Sequence, residues 1–570
     1  MVARTKGRPE FLKKCCHATH FTVLLICIIG RHIRRRHEVM SEMSFETTTT
    51  FMSSSSRSSL FSLSSIRLRI CLLLMFGLFF TVSMRINLGM AMVCMVNTTA
   101  FVEPEKHNQF SLNESIVPDG RCSRSYDTDS LATSGYHGTL LWTPGMQSLL
   151  FSATFYGGLV TIALSGYLAD RFGPKHLLML AVLDYSIVSL LSPLLANTNF
   201  YAFFSSRVVM GLGEGFMIPT IASLSARWFP PAERGAMAAM YTSGNQLAGT
   251  LGGVISASLC SVDILGGWPL IFYLFGGLGC VWCILFSILG SNSPDENKWI
   301  SDDEMSYITT TLPHTPGSTK RKTNAPVPWK EMFTSTVVLS NFIAQFSFNF
   351  SATIMQSYLP AYFRDVLLLD LKSNGLYTVL PFLSQLIFKN VFGHLSDYLK
   401  RRGLLGQTTS AKLFQSIGSF GTAACFLSLA LFVNCERPTI ALVILGIHGL
   451  CFSSGMSGFY ISLLSVAPIY TGVIISLSML FGMIANSIAP LTFGLVNSQG
   501  TEEEWQNVYI ICAALNLFAG VFFLIFGSAK IQVWALVQPE KITVSEGTIP
   551  LPEKKRNRTV SEMSTNDWTV

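Results

Sequence analysis

The sequence predicts an all-α membrane protein with twelve transmembrane helices in two six-helix halves. Three observations carry that prediction. Hydrophobic residues make up 49% of the 570 and charged residues only 13%, against about 25% in soluble domains, and mean hydropathy is +0.44. From Ile70 onward, apolar stretches of roughly 20 residues, the length that crosses a bilayer, follow one another with polar breaks between them. Lastly, Gly166-Tyr167-Leu168-Ala169-Asp170 closes the second apolar stretch of the first half, and Gly393-His394-Leu395-Ser396-Asp397 closes the second stretch of the second half. A G-x-L-[AS]-D repeat at equivalent places is what duplication of a six-helix unit leaves behind.

The same numbers exclude several classes. A soluble multidomain enzyme, which length alone would suggest, is not built with so few charges, and a disordered scaffold is not this apolar. No nucleophile–base constellation, metal-ligand spacing or nucleotide loop is present, so no catalytic residue, metal or cofactor is expected. The net charge of +7 (40 basic minus 33 acidic) needs no nucleic acid, because cytosolic loops of membrane proteins are rich in Lys and Arg. The 13 cysteines lack paired C-x-x-C spacing, which predicts neither a zinc site nor a disulfide framework.

In chain order, residues 1–66 read as a disordered cytosolic tail. Its apolar run Phe21–Gly30, flanked by Lys13-Lys14 and Arg31–Arg36, is about half the length of a span. Two readings stay open: a signal-peptide core lacking a clear cleavage site, or a dispensable leader with translation starting at Met40 or Met43. The Ser/Thr-rich run 47–65 is a solvated tail. The first half, 67–290, carries spans at 70–96, 145–169, 177–197, 200–223, 236–260 and 267–290. A cytosolic connector covers 291–335. The second half, 336–530, carries spans at 336–360, 375–396, 412–433, 438–460, 471–495 and 508–529, and a cytosolic tail covers 531–570. The tail ends in Trp568-Thr569-Val570, an apolar carboxyl terminus that suits a PDZ groove.

Loop charge sets the orientation. Arg171, Lys175, Arg227, Arg234, Lys320–Lys322 and Lys400–Arg402 all fall on one side, the cytosolic one by the positive-inside rule. The opposite loop, from Asn97 to Pro144, carries the sequons at Asn97 and Asn113, which makes these two the expected glycosylation sites. Asn349 lies within a span and Asn557 in the cytosolic tail, so their sequons are chance matches.

Charges inside the spans are the candidate functional residues. Arg85 stands about fifteen residues into the first helix, ~22 Å along it. A buried charge there costs at least ~2.5–3.5 kcal/mol, so it faces a cavity or an ion-pair partner within the bundle. Arg207 and Glu214 are seven residues apart, two turns along one face of the fourth helix. Glu214 near the midplane is a candidate proton carrier, or else a static partner of Arg207. Gly211, Gly213 and Gly215 suit close helix approach. Lys389 lies eight residues before Asp397 and is open to three readings: a second cation for an anionic substrate, a partner of Asp397, or a lipid-phosphate contact. Asp170 and Arg171 read as a conformational gate at the cytosolic mouth, where Asp170 would meet the eleventh helix, Arg227 or Arg234; Asp397 is the counterpart in the second half. Asp184 and His448 are weaker candidates.

Two motifs identify a family. Gly166–Lys175 (GYLADRFGPK) resembles the loop between helices two and three of the major facilitator superfamily. Trp228-Phe229-Pro230-Pro231-Ala232-Glu233-Arg234 resembles, more narrowly, the anion/cation symporter branch of sialin, the vesicular glutamate transporters and the type I sodium/phosphate cotransporters. Arg85-Ile86-Asn87-Leu88, Gly211–Gly215 and Glu504-Trp505-Gln506 agree, and the likeness spans about residues 66–536. The resemblance implies the major facilitator fold and alternating-access transport of a small organic or inorganic anion, coupled to a proton or sodium ion. It implies anion binding at Arg85 and Arg207 and proton coupling at Glu214. A monomer in the plasma membrane or a lysosomal or synaptic-type vesicle membrane is expected.

Departures from the family bear on substrate. Ser462 and Ser465 stand where many members have Asn and Asp before Ala467-Pro468; Phe151 and Phe348 replace the His and Arg of the glutamate branch; and Met210 replaces a sialin-type Glu. Neither glutamate nor sialic acid is therefore assigned. The lost acid at Met210 keeps open an uncoupled or voltage-driven facilitator, and the fold admits a non-transporting sensor.

Overall fold

The computed structural model describes residues 65–97, 138–262, 264–311, 327–468 and 470–535, with backbone alone at Gly166, Tyr167, Asp170, Pro231, Ala232 and Leu265. The apolar run Phe21–Gly30, Asn113, Lys320–Lys322, Asn557 and Trp568–Val570 lie outside those residues.

The described elements are all helical. In the first half they are α1 (Ile66–Met95), α2 (Pro144–Phe172), α3 (Pro174–Thr198), α4 (Phe200–Trp228), α5 and α6 (Trp268–Leu289). Helix α5 runs Pro231–Leu247, passes through a π turn at Ala248–Gly252, and continues as Gly253–Cys260. In the second half they are α7 (Thr336–Asp365), α8 (Leu371–Arg401), α9 (Gln407–Phe432), α10 (Pro438–Ser465), α11 (Thr471–Val496) and α12 (Glu502–Phe526). Ten are long and apolar enough to cross a membrane by length and composition. The other two are α5, divided by its π turn, and α8, which carries Lys389, Asp397, Lys400 and Arg401.

Start signals match local chemistry. Proline occupies the first position of α2, α3, α5 and α10, where its missing N–H costs nothing. Thr143 caps α2 by accepting from Met146 N at 3.3 Å, and Asn199 caps α4 by accepting from Tyr201 N at 2.8 Å. Thr501 and Glu504 form a reciprocal capping box on α12. A single residue, Gly173, joins α2 to α3; its φ of 83° lies where a side chain is strained.

Small residues let the helices approach. A Cβ on Gly211 of α4 would fall 1.9 Å from Thr154 O of α2, and one on Gly157 would fall 2.1 Å from Val208 O. Gly215 is as tightly held against Thr161, and Gly213 against α3. The close-approach reading of the glycine run is the one these contacts support.

Among the described residues, the apolar core that the two halves share lies at one end. At the end opposite the basic loops, Leu88 and Ala91 of α1, Phe151 of α2, and Ile354 and Tyr358 of α7 share one buried core. There Tyr358 stacks on Phe493 (3.7 Å) and meets Phe151 at a tilt (4.8 Å), and Ser152 Oγ donates to Ser487 O at 3.0 Å. At the basic end each half keeps its own core: Ile70, Leu224 and Phe286 in one, Val338, Leu463 and Ile474 in the other.

The connector is shared out between the halves. Residues up to Thr311 belong to the first: Trp228 Nε1 donates to Ser291 O at 3.1 Å, and Asn292 Oδ1 accepts from Lys175 N at 3.0 Å in the first turn of α3. From the helix Asp302–Thr311, Glu304 reaches the start of α1. Its carboxylate accepts from Ser65 Oγ (2.7 Å), Ile66 N (3.0 Å), Arg67 N (3.1 Å) and Arg67 Nε (2.8 Å), capping α1 from 238 residues away. Arg67, fully buried, also pairs with Glu233 at 2.6 Å, and Tyr307 OH donates to the same carboxylate at 3.1 Å. Met332 and Val338, by contrast, pack in the core of the second half. Residues 531–535, expected to be tail, dock there as well: Gln532 N donates to Val466 O at 2.9 Å.

One expectation is corrected outright. Cys94 at the end of α1 and Cys260 at the end of α5 form a disulfide, and Cys435 is disulfide-bonded too. The pairing spans 166 residues and arises because two helix ends converge, which spacing cannot reveal. Closing so long a loop constrains the unfolded chain by about 5 kcal/mol in the loop-entropy picture.

Glu304 generates a pH test. Burial alone pushes its carboxyl up, but the bonds from Arg67, Ile66 N and Ser65 outweigh it and hold the group below its ordinary value. A carboxylate depressed in the folded state stabilises above its unfolded pKa, about 4.3, and loses that contribution as pH falls through the folded value. Melting temperature should therefore drop in purified protein below about pH 4.3. Glu304→Gln should start several degrees lower and lack that acid limb. Equal acid slopes in both proteins would mean that Glu304 is not the group concerned.

Candidate anion-binding site

The site is built on α1, α3 and α4 of the first half and faced by α7 of the second. Glycines bring α4 against α2 and α3, which places Glu214 between two donors. Arg85 Nη1 donates to Glu214 Oε1, and Tyr185 OH donates to Glu214 Oε2. Each carboxylate oxygen thus has its own partner, and the two charged side chains are each only 16% exposed. A pair between Arg207 and Glu214 is not formed: Glu214 reaches across to α1 instead of along its own helix.

Arg85 is gripped on three sides. Besides Glu214, its guanidinium lies 5.6 Å from the Phe155 ring centroid, and Nη2 donates to Gln356 Oε1 of α7 at 3.4 Å. Arg207 is 1% exposed, and its Nη2 donates to the Arg85 backbone O at 3.4 Å. Its Nε and Nη1 are buried without a hydrogen-bond partner. A guanidinium so placed bears a large desolvation cost that no neighbouring carboxylate offsets. Both arginines line a small cavity with Phe151, Phe155, Thr353 and Gln356. Its charged lining is two cations and no acid, which suits a small anion.

Other candidates fall elsewhere. Lys389 Nζ donates to Thr242 Oγ1 of α5 at 2.5 Å, a contact between the halves; its expected partner Asp397 binds Lys400 Nζ at 2.9 Å, one turn along α8. Asp397 is 61% exposed at the side chain and pairs within its own helix in this conformation. Asp170 sits in the last turn of α2 with its side chain outside the described residues, and Arg171 lies 5.7 Å from the Phe172 ring centroid. Arg234 donates to Ala226 O and Phe229 O, tying down the end of α4. Asp184 Oδ2 accepts from Gly213 N at 3.2 Å. His448 is buried between Phe426 and Phe452, away from the cavity lining. Asn97 N donates to Leu140 O at 2.9 Å at the end away from the basic loops.

Of the family-departure residues, Phe151 lines the cavity and three others serve packing. Phe348 stacks on Phe452 at 4.1 Å, Met210 is in the core, and Ser462 Oγ donates to Ser528 O at 2.7 Å. Tyr185, Thr242 and Gln356 were not anticipated. An uncharged side chain in an apolar helix carries no sequence signal until its partner is known.

This geometry is that of a membrane transporter, and the comparisons agree. The Major Facilitator Superfamily model matches residues 71–490, and the chain belongs to that superfamily. Within it the chain falls in the branch of sialin and the sodium-dependent phosphate transport proteins. It is 35% identical to an uncharacterized transporter of Caenorhabditis elegans, over 83% of this chain and 90% of the other. It is 32% identical to sodium-dependent phosphate transport protein 3 of Mus musculus (83% and 95%) and 30% to sialin of Ovis aries (83% and 91%). Among solved structures it resembles the inward open conformation of the xylose transporter XylE from E. coli: TM-score 0.55, 16% identity, 81% of this chain and 96% of the other. It is a multi-pass membrane protein.

The two arginines should respond differently to substitution. Arg207→Met removes a buried charge and orphans no acid, so melting temperature should hold or rise while anion binding falls at least ~10-fold. Arg85→Met leaves Glu214 with Tyr185 alone and should cost ~3–5 kcal/mol of stability. Thermal melts of both variants, read beside anion titrations, decide this. Equal destabilisation would contradict the pairing.

Proposed function

We propose that the protein is a secondary transporter of small organic anions that couples anion binding to protonation of Glu214. The observation that carries this is the Arg85–Glu214 pair at the edge of a cavity also lined by Arg207, whose Nε and Nη1 have no hydrogen-bond partner. While ionised, Glu214 occupies Arg85. Protonation removes the charge that holds Arg85, and its guanidinium then becomes available to an anion in the cavity. Proton and anion binding thereby support each other, the requirement for symport. Phosphate transport, in the name of one relative, points to an anionic cargo.

Alternating access follows from two bodies hinged about the site. Their shared core away from the basic loops closes one mouth, and the separate cores at the basic end favour access from that side. Positive loops assign that side to the cytosol. The Cys94–Cys260 disulfide at the other end suits an oxidising lumen or exterior. Asn97 and Asn113 would then be glycosylated. Mobility shifts on Asn97→Gln and Asn113→Gln check the orientation, and unglycosylated protein at both positions would reverse it.

Glu214→Gln tests the mechanism. It mimics the protonated acid, so anion exchange in proteoliposomes should persist while accumulation driven by a proton gradient is lost. Normal accumulation by a well-folded Glu214→Gln protein would leave an uncoupled, voltage-driven facilitator as the better reading. Loss of exchange as well would make Glu214 a structural partner of Arg85.

A further inference from the structure

A second small cavity adjoins the first and shares Ile86 and Gln356 with it. Its character differs. Not one ionisable side chain is among the residues that line it. The π turn of α5 borders it: Gly249 meets the Phe382 ring of α8, where a Cβ would come within 2.5 Å, and Gly253 lies against Thr378. π turns inside α-helices are frequent at functional sites.

Asn87 is the polar group of this cavity that stands out. It is 3% exposed, and its Oδ1 accepts from Ser256 Oγ at 3.0 Å, which orients the amide. Its Nδ2 is buried with no hydrogen-bond partner, and so is Ser83 Oγ one turn earlier on α1. An unmet donor in an apolar environment costs about as much as a lost hydrogen bond, so it marks a place where an acceptor is rewarded. A charged group would find no counter-ion among the lining residues; an uncharged oxygen would meet the Asn87 amide.

We propose that this cavity is a neutral subsite of the anion-binding centre, in which Asn87 donates to an uncharged hydroxyl or carbonyl oxygen of the organic anion and so determines specificity. The proposal rests on the anion-site reading of Arg85 and Arg207 and narrows it. The cargo carries its charge at one end and a neutral oxygen at the other.

The test uses the purified full-length chain and pairs of monocarboxylates matched in size but not in hydroxylation: gluconate against hexanoate, quinate against cyclohexanecarboxylate. Half-maximal thermal stabilisation gives each affinity. The wild type should prefer the hydroxylated member of at least one pair by ~10-fold, about one hydrogen bond. Asn87→Ala should abolish that preference by weakening the hydroxylated ligand while leaving its deoxy partner unchanged. Ser256→Ala, which only frees the amide, should reduce it by ~3-fold, and it decides the matter if the Asn87→Ala protein does not elute as a monodisperse peak. A preference that survives these substitutions overturns the subsite, as does its absence from every wild-type pair. Arg207→Met separates the two readings. If it leaves every affinity unchanged, the anion site fails, whatever Asn87 does.

Discussion

The Arg85–Glu214 pair is the interaction around which the bundle is organised. An isolated charge at mid-membrane depth is costly, and two of them persist here because α1 and α4 bring opposite signs together. That meeting depends on backbone proximity. Gly211 lets α4 lie on α2 and Gly213 lets it lie on α3, so that Tyr185 reaches the second oxygen of Glu214. With both oxygens engaged, the carboxylate has a defined position, and a change in its charge has a defined consequence for Arg85.

The charges of the site all stand on the first half, while α7 offers neutral groups. Thr353 Oγ1 donates to Asn486 Oδ1 at 2.8 Å, Asn349 Nδ2 donates to Gln345 O at 2.9 Å, and Gln356 meets Arg85 only at 3.4 Å. This division suits a machine whose halves move past each other. Exchanging neutral hydrogen bonds between two bodies costs little, whereas separating an ion pair in a low-dielectric interior costs several kcal/mol. The buried ion pairs at Arg85 and at Arg67 lie within one body. The disulfide and the Glu304 cap lie within that body as well, and stiffen it without crossing the moving boundary.

Single residues were legible where burying them is expensive. Arg85, Arg207, Glu214 and Lys389 were each apparent as charges in apolar spans, because nothing else explains a charge there. Their partners were not. Arg207 and Glu214 share a helix face yet do not pair, Lys389 bonds Thr242 of the other half, and Asp397 binds one turn along its own helix. Periodicity reports which residues share a face and says nothing of which helix that face meets.

The sequence by itself determined the class of structure, the succession of apolar helices, the duplicated halves and the family. Each of these depends on local composition or on motifs a few residues long, and bilayer thickness imposes the rest. Only the tertiary structure decided the Cys94–Cys260 bond, the division of the connector between the halves, the capping of α1 by Glu304, and the neutral cavity beside Asn87. These join residues from tens to hundreds of positions apart, and such contacts exist only once the helices have packed. A hydrogen-bond donor such as Asn87 Nδ2 acquires meaning from what it fails to meet, and that is a property of the assembled interior alone.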